Sequence, residues 1–175
     1  MNELTETEWA YLAGFIDGDG CITINVGGTK GSVTPSHRLL LLITQANKEY
    51  LEKWCARVGL GRVYAIHSGE SPIQGTKQCY NWQMSGRQAE AVLRKVLPYL
   101  DIKREQAEIA IKFRTTAGRQ GGIGGRRVNP SGIIRLRERY AQQLRALKRE
   151  GDPLSLEPEQ ATLEAQYQAQ MGLWE

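Results

Sequence analysis

Apolar positions along this chain switch between two spacings: every three or four residues, as in helices, and strict alternation, as in half-buried strands. Thr5 followed by Glu8 is a capping box, and it opens a helix predicted over residues 6–17. After Gly20 the period changes, so that Ile22, Ile24 and Val26 point one way and Thr23 and Asn25 the other. Residues 27–35, rich in Gly, Ser and Thr, read as a turn, and a second strand is expected over 37–45. Asn47 caps a helix over 48–58 with Leu51, Trp54, Cys55 and Val58 as its buried stripe, and Gly59 and Gly61 end it. A third strand at 62–67 and a polar loop at 69–77 precede a fourth strand at 78–85. There Tyr80, Trp82 and Met84 share one face, and Cys79, Asn81 and Gln83 the other.

A helix over 87–97 stops at Pro98, and another over 101–116 buries Ile102, Ala107, Ala110 and Phe113 or their neighbours. Residues 118–125 form a Gly-rich connector beside Arg126 and Arg127. Asn129 and Pro130 have the character of an N-cap and first helical position, followed by Ile133, Leu136, Tyr140, Leu144 and Leu147 at helical spacing. Gly151, Asp152 and Pro153 break that helix, and a last one is expected over 157–170. The resulting class is α+β. An antiparallel sheet carries helices on one face and polar residues on the other, open to a partner, with a C-terminal helical extension. The expected division is a core at 1–117, a Gly/Arg-rich connector at 118–128 and C-terminal helices at 129–175.

Charge is distributed unevenly. Residues 1–85 hold seven Lys/Arg and eight Asp/Glu, residues 86–149 sixteen against five, and the last 26 six acids and no base. A middle region at +11 points to a polyanionic partner, although any single base there is as well explained as a solvated helix face. The acidic end either screens that region or keeps the protein soluble. At 175 residues and 41% hydrophobic, the chain is long enough to bury its own core. No apolar run approaches the ~18 residues of a membrane span, so no membrane partner is expected. The acidic opening Met-Asn-Glu-Leu-Thr-Glu lacks the basic start of a secretory signal. Three widely spaced cysteines, Cys21, Cys55 and Cys79, make neither a zinc pattern nor a disulfide framework. An intracellular, reducing location is therefore expected rather than secretion.

The first helix carries the unusual chemistry. Ala10, Gly14 and Gly18 recur every four residues and leave one face nearly bare. Each glycine inside a helix costs about 1 kcal/mol relative to alanine. Close approach of another helix would compensate at Gly14, while Gly18 is either part of that seam or the helix C-cap. Asp17 and Asp19 stand at the helix end, where the negative pole of the macrodipole disfavours further negative charge. A divalent cation would neutralise them, and oxygen ligands suit Mg²⁺. The plain alternative for a lone DGDG is a solvated or capped turn. An EF-hand is excluded, because its later ligand positions fall on Cys21 and Gly28.

Leu12-Ala13-Gly14-Phe15-Ile16-Asp17-Gly18-Asp19-Gly20 resembles the signature of the LAGLIDADG homing endonucleases, with seven of nine positions identical to the family's name. The order of elements is similar to the αββαββα fold of that family, and the resemblance covers roughly residues 5–116. It implies metal ligation by the Asp19 carboxylate and the Gly18 carbonyl, with Mg²⁺ as the working ion and Mn²⁺ or Ca²⁺ able to replace it for binding. It implies a water-ordering role for Gln45 after Thr44, and charge neutralisation by Lys103 in the Leu100-Asp101-Ile102-Lys103 context. A further basic residue near the glutamine is matched by Lys48, with Glu49 as the competing occupant of that position. One motif and no internal repeat imply a homodimer with Ala10, Gly14 and Gly18 in its interface. The target would be long, double-stranded and pseudo-palindromic, in the cytoplasm or in an organelle holding the host genome.

DNA reading would fall to Thr23, Asn25, Arg38, Thr44, Arg62, Tyr64, Asn81 and Gln83 on the open sheet face, with Lys30, Ser32 and Thr34 in the first loop. Leu40 and Leu42 interrupt this face. Either they meet thymine methyls, or the strand register is shifted by one residue, which would exchange every assignment. Arg119, Arg126 and Arg127 either extend the DNA contacts or lie in a segment that only buttresses the core. Two alternatives on the same fold are an intron RNA-splicing maturase and a non-catalytic DNA-binding regulator. Retention of Asp19, Gln45 and Lys103 together favours the nuclease.

Overall fold

The computed structural model describes residues 1–28, 35–66, 78–116, 131–150 and 165. Helix α1 (Glu6–Asp19) starts on the capping box: the Glu8 N–H donates to Thr5 Oγ1 at 3.3 Å, and the Glu8 carboxylate accepts from the Thr5 N–H at 2.8 Å. Trp9, Leu12, Ala13 and Ile16 form its buried side. The helix runs on to Asp19 and caps at Gly20, which leaves Gly18 inside the helix rather than at its cap. A Cβ at Gly20 would lie 2.5 Å from the Ile16 carbonyl oxygen, so only glycine lets the chain turn directly from helix into strand.

Four strands follow: β1 (Gly20–Gly27), β2 (Ser36–Gln45), β3 (Arg62–Ala65) and β4 (Tyr80–Ser85), in the sheet order β1-β2-β4-β3. β2 and β3 each pair antiparallel with β4. Leu39, Leu41 and Ile43 are fully buried, which settles the strand register and leaves Leu40 and Leu42 on the opposite, open face. Between β2 and β3 lies α2 (Lys48–Val58), with the expected bounds; the Asn47 side chain accepts from the Tyr50 N–H at 3.0 Å, and Gly59 closes the helix at φ 72°. Its buried side is narrower than the spacing predicts. Leu51 and Val58 are buried, but Trp54 and Cys55 are only half-buried. Trp54 turns aside to stack on Tyr11 of α1, ring centroids 5.4 Å apart and nearly parallel.

Helix α3 (Arg87–Val96) ends in a 3-10 turn, Leu97–Tyr99, at Pro98. Helix α4 (Arg104–Thr115) begins three residues later than expected. Ile102, expected in the core, is 74% exposed, because residues 101–103 form a turn whose backbone is pinned to α1 (below) and which directs that side chain outward. Helix α5 (Ser131–Glu150) buries Ile133, Leu136, Tyr140, Leu144 and Leu147, the stripe its spacing predicts. The third and fourth strands are shorter than expected, ending at Ala65 and beginning at Tyr80. The connector at 118–125, the Asn129–Pro130 start, the break at 151–153, nearly all of the helix at 157–170, and Lys30, Ser32, Thr34, Arg119, Arg126 and Arg127 lie outside the described residues.

Two compact units arise from interleaved segments: residues 1–22 with 40–107, and 23–39 with the chain from 108 onward. The first holds α1, the site described next and a core that includes Leu12, Ile16, Leu41, Ile43, Trp82, Met84 and Leu93. In the second, Phe113 meets Tyr140 edge to face at 6.5 Å, and Arg137 donates to the Thr116 carbonyl at 2.7 Å, closing the end of α4. His37, almost fully buried, bonds Glu138 at 2.9 Å. Among the described residues no helix is long and apolar enough to cross a membrane.

Candidate active site

The end of α1 must dispose of carbonyls that have no partner further along the helix, and α1 has no basic residue in its last turn. Lys103 supplies the missing cation from elsewhere in the chain. Its Nζ donates to the Ile16 carbonyl at 2.9 Å and to the Asp17 carbonyl, and lies 3.5 Å from that of Gly18. An ammonium here offsets the negative pole of the helix. The same turn is gripped by the Asp17 side chain: Oδ2 accepts from the Asp101 N–H and Oδ1 from the Lys103 N–H, both at 2.8 Å. Asp17 is thus a bidentate clamp between α1 and the start of α4, a role the sequence left open. A carboxylate followed at long range by a tight Leu-Asp-Ile-Lys turn leaves no local signal from which such a clamp could be read.

Asp19 differs. It is exposed, and its Oδ2 accepts from Gln45 Nε2 at 2.5 Å. Gln45 reaches it because β2 ends beside the helix terminus, with Gln45 opposite Tyr80 in the β2–β4 register. The structure therefore brings Asp19 and Gln45 into contact and places Lys103 on the carbonyls of the same helix end. Lys48 is not drawn into this group by any described contact; it pairs along α2 with Glu52 at 3.1 Å, both about half exposed. Such a pair is worth only about 0.3–0.5 kcal/mol, so it would not hold the lysine away from an incoming anion.

The stripe of Ala10, Gly14 and Gly18 is exposed along α1, and among the described residues a Cβ at Gly14 or Gly18 would meet nothing within 4 Å. Among the described residues no packing explains these glycines. Beside them lies an aromatic group that sequence patterning missed: Tyr11 stacks on Trp54, its hydroxyl bonds that of Tyr50 at 2.5 Å, and Phe15 meets Tyr50 edge to face at 5.4 Å. Tyr11 remains 56% exposed. An exposed aromatic at helical spacing beside a bare stripe was the available signal.

On the open sheet face, Asn25, Arg38, Thr44, Arg62 and Tyr64 are exposed, and Thr23, Asn81 and Gln83 are half-exposed. Thr44 Oγ1 donates to Asn81 Oδ1 across the β2–β4 pair. Although Tyr64 is exposed overall, partial desolvation of its hydroxyl raises the phenol above its ordinary value.

A helix end with one closed and one open carboxylate, set on an αββαββα core whose sheet leaves a polar face open, places the chain in the α+β class. Residues 12–102, just over half of the chain, match the LAGLIDADG endonuclease family, and the chain belongs to that family. The DNA endonuclease I-CvuI of Chlorella vulgaris is 27% identical over 111 residues, which is 62% of this chain and 64% of that protein, a little under two thirds of the relative's length. The crystal structure of I-CvuI, in complex with the I-CreI target in the presence of magnesium, superposes with a TM-score of 0.65 at 20% identity, covering 93% of this chain and 95% of that one. The archaeal intron-encoded homing endonuclease I-Vdi141I, complexed with DNA, superposes with a TM-score of 0.64 at 16% identity, covering 94% and 98%. At these identities the two superpositions establish the shared fold.

Proposed function

We propose that this chain is a site-specific homing endonuclease which, as a homodimer with a divalent metal ion, hydrolyses both strands of a long pseudo-palindromic DNA target. The observation that carries the reading is the Gln45–Asp19 hydrogen bond at the exposed end of α1. It sets an amide able to orient water directly against a carboxylate able to bind a cation. The donor set fits a hard cation: the carboxylate of exposed Asp19 and the carbonyl of exposed Gly18, which keeps only a long 3.5 Å contact to the Lys103 ammonium, are oxygen ligands. Mg²⁺ is commonly held by one or two carboxylates with waters and substrate phosphates, so Asp19 together with the Asp19 of a second copy is a sufficient protein contribution. A bound ion would supply an activated water and positive charge at the leaving oxygen. Gln45 orients the attacking water, and Lys103 adds positive charge at the same helix end.

The exposed Ala10, Gly14 and Gly18 face is the surface on which two copies meet, helix against helix. A twofold axis there makes the target a pseudo-palindrome. The polar sheet face, with Arg38 and Arg62 exposed on it, reads the major groove. I-CvuI and I-Vdi141I, both bound to DNA, support that assignment by fold. The test is cleavage of a plasmid carrying the uninterrupted allele of the gene in which this reading frame sits. Wild-type protein with Mg²⁺ should linearise it at one site. Protein that leaves that allele intact but binds the intron RNA would overturn the nuclease reading in favour of splicing.

A further inference from the structure

The strand registers set residues of the open face in rows across the sheet: Thr44–Asn81–Tyr64 beside Gln45, then Leu42–Gln83–Arg62, then Leu40–Ser85. The first row is tied together internally, Thr44 donating to Asn81. The second differs. Leu42 is half-exposed while its chain neighbours Leu41 and Ile43 are fully buried, so it stands on the open face and not in the core. Beside it Gln83 is half-exposed, and among the described residues nothing hydrogen-bonds its amide. Arg62, exposed on the edge strand, completes the row with a positive charge that suits a polyanion.

A leucine can neither donate nor accept, so the edges of guanine, cytosine and adenine offer it nothing; the one apolar group in the major groove is the thymine C5-methyl. A glutamine amide matches the N6/N7 edge of adenine with two hydrogen bonds. These are the two halves of a single base pair. Directly opposite residues on antiparallel strands hold their Cβ atoms about 4.5–5.5 Å apart, close enough for both to address one step. Resting on the DNA-reading role of the sheet, we infer that Leu42 and Gln83 together read one T·A pair in each half-site, Leu42 against the thymine methyl and Gln83 on the adenine. The apolar residue that interrupts the polar face is then a specificity determinant.

The experiment selects bound duplexes from a randomised pool with the full-length protein in calcium. It then replaces each thymine of the selected half-site by deoxyuridine, which removes only the methyl. One position per half-site should lose affinity about threefold to tenfold, the scale of one buried methyl group. Leu42→Ala should bind thymine and uracil equally at that position. Gln83→Ala should relax the choice of the paired adenine, weakening binding about tenfold or more. The deoxyuridine scan uses the wild-type protein, so it stands whether or not a variant folds. Equal binding of thymine and uracil at every position overturns the assignment, as does a uracil effect that persists in Leu42→Ala. A Leu42→Ala change in oligomeric state by light scattering, without a change in thymine preference, would make this patch a protein contact and also overturn it. A selected site without the uracil effect removes only the Leu42–Gln83 assignment, whereas failure to enrich any duplex removes the DNA reading along with it.

Discussion

Asp17 and Asp19 stand two residues apart on the inner and outer sides of the end of α1, and their surroundings differ in how much of each carboxylate is left for a ligand. The inner carboxylate has both oxygens engaged by backbone N–H groups of Asp101 and Lys103. The outer one is exposed and bonded to a side-chain amide that can move. A carboxylate with all its strong partners inside the fold has little left to offer a ligand. One with a single neutral partner at the negative pole of a helix gains most from an incoming cation. The same division runs along the whole helix. Leu12, Ala13 and Ile16 are fully buried on one side, while Ala10, Gly14 and Gly18 are bare and exposed on the other.

The largest expected effect is on the outer side. Asp19→Asn should lower the cleavage rate by about 10³-fold or more, the scale on which a group acting directly in the transition state is missed. Its urea midpoint and its binding of the target in calcium should stay close to wild type. A variant that cuts normally would move the chemistry away from Asp19 and erase the contrast with Asp17. Next is the inner side. Asp17→Ala strips two backbone donors of their charged acceptor and should reduce unfolding free energy by about 2–3 kcal/mol, read as a lower urea midpoint. Unchanged stability in Asp17→Ala would mean that the turn at 101–103 holds itself.

The two faces of α1 can be set against each other in the same manner. Because no described residue lies within 4 Å of a Cβ at Gly14, a leucine there should fit the isolated chain and even gain helix propensity, about 0.5–1 kcal/mol. If the bare stripe is a helix–helix seam, the same Gly14→Leu change should weaken dimer formation tenfold to a hundredfold, measured by sedimentation at micromolar protein, and binding of the full site with it. A dimer of wild-type strength would show that the glycines serve something other than close approach.

The sequence exposes some of this division and hides the rest for a physical reason. Capping boxes, alternation and glycine stops are local, so the start of α1, the bounds of α2 and the buried stripe of α5 follow from neighbours in the chain. The nine-residue motif marks the helix end, and Gln45 and Lys103 can be named as companions only through a family resemblance. What escapes is decided between distant residues. Ile102 looks like a core position by spacing, yet the Asp17 clamp turns it out to solvent. Trp54 looks like part of α2's buried stripe, yet it leaves that stripe to stack on Tyr11. Neither Asp17 nor Tyr11 is adjacent to the residue it redirects, and periodicity carries no information about such pairs.

The smallest effect comes from the opposite end of the same helix, where a charge is again used for structure. Glu8 closes the capping box and also accepts from Arg57 of α2 at 2.6 and 2.7 Å. Its hydrogen bonds to Arg57, followed by that from the Thr5 backbone, hold the carboxyl at about 2, well below its ordinary value near 4.5. A carboxyl depressed on folding contributes stability that is fully present above the unfolded value and is lost as pH falls through the folded one. Glu8→Gln preserves the capping-box geometry and removes the titration. The difference in thermal midpoint between wild type and Glu8→Gln should therefore be constant above pH 4.5 and shrink steadily toward pH 2. Because the pair lies at the surface, the difference should also be small and should fall with added salt. A gap that ignores pH would mean that Glu8 acts through its hydrogen-bonding shape alone. The charge at this end of α1 would then be idle, and the contrast between carboxylates used for structure and for chemistry would rest on Asp17 alone.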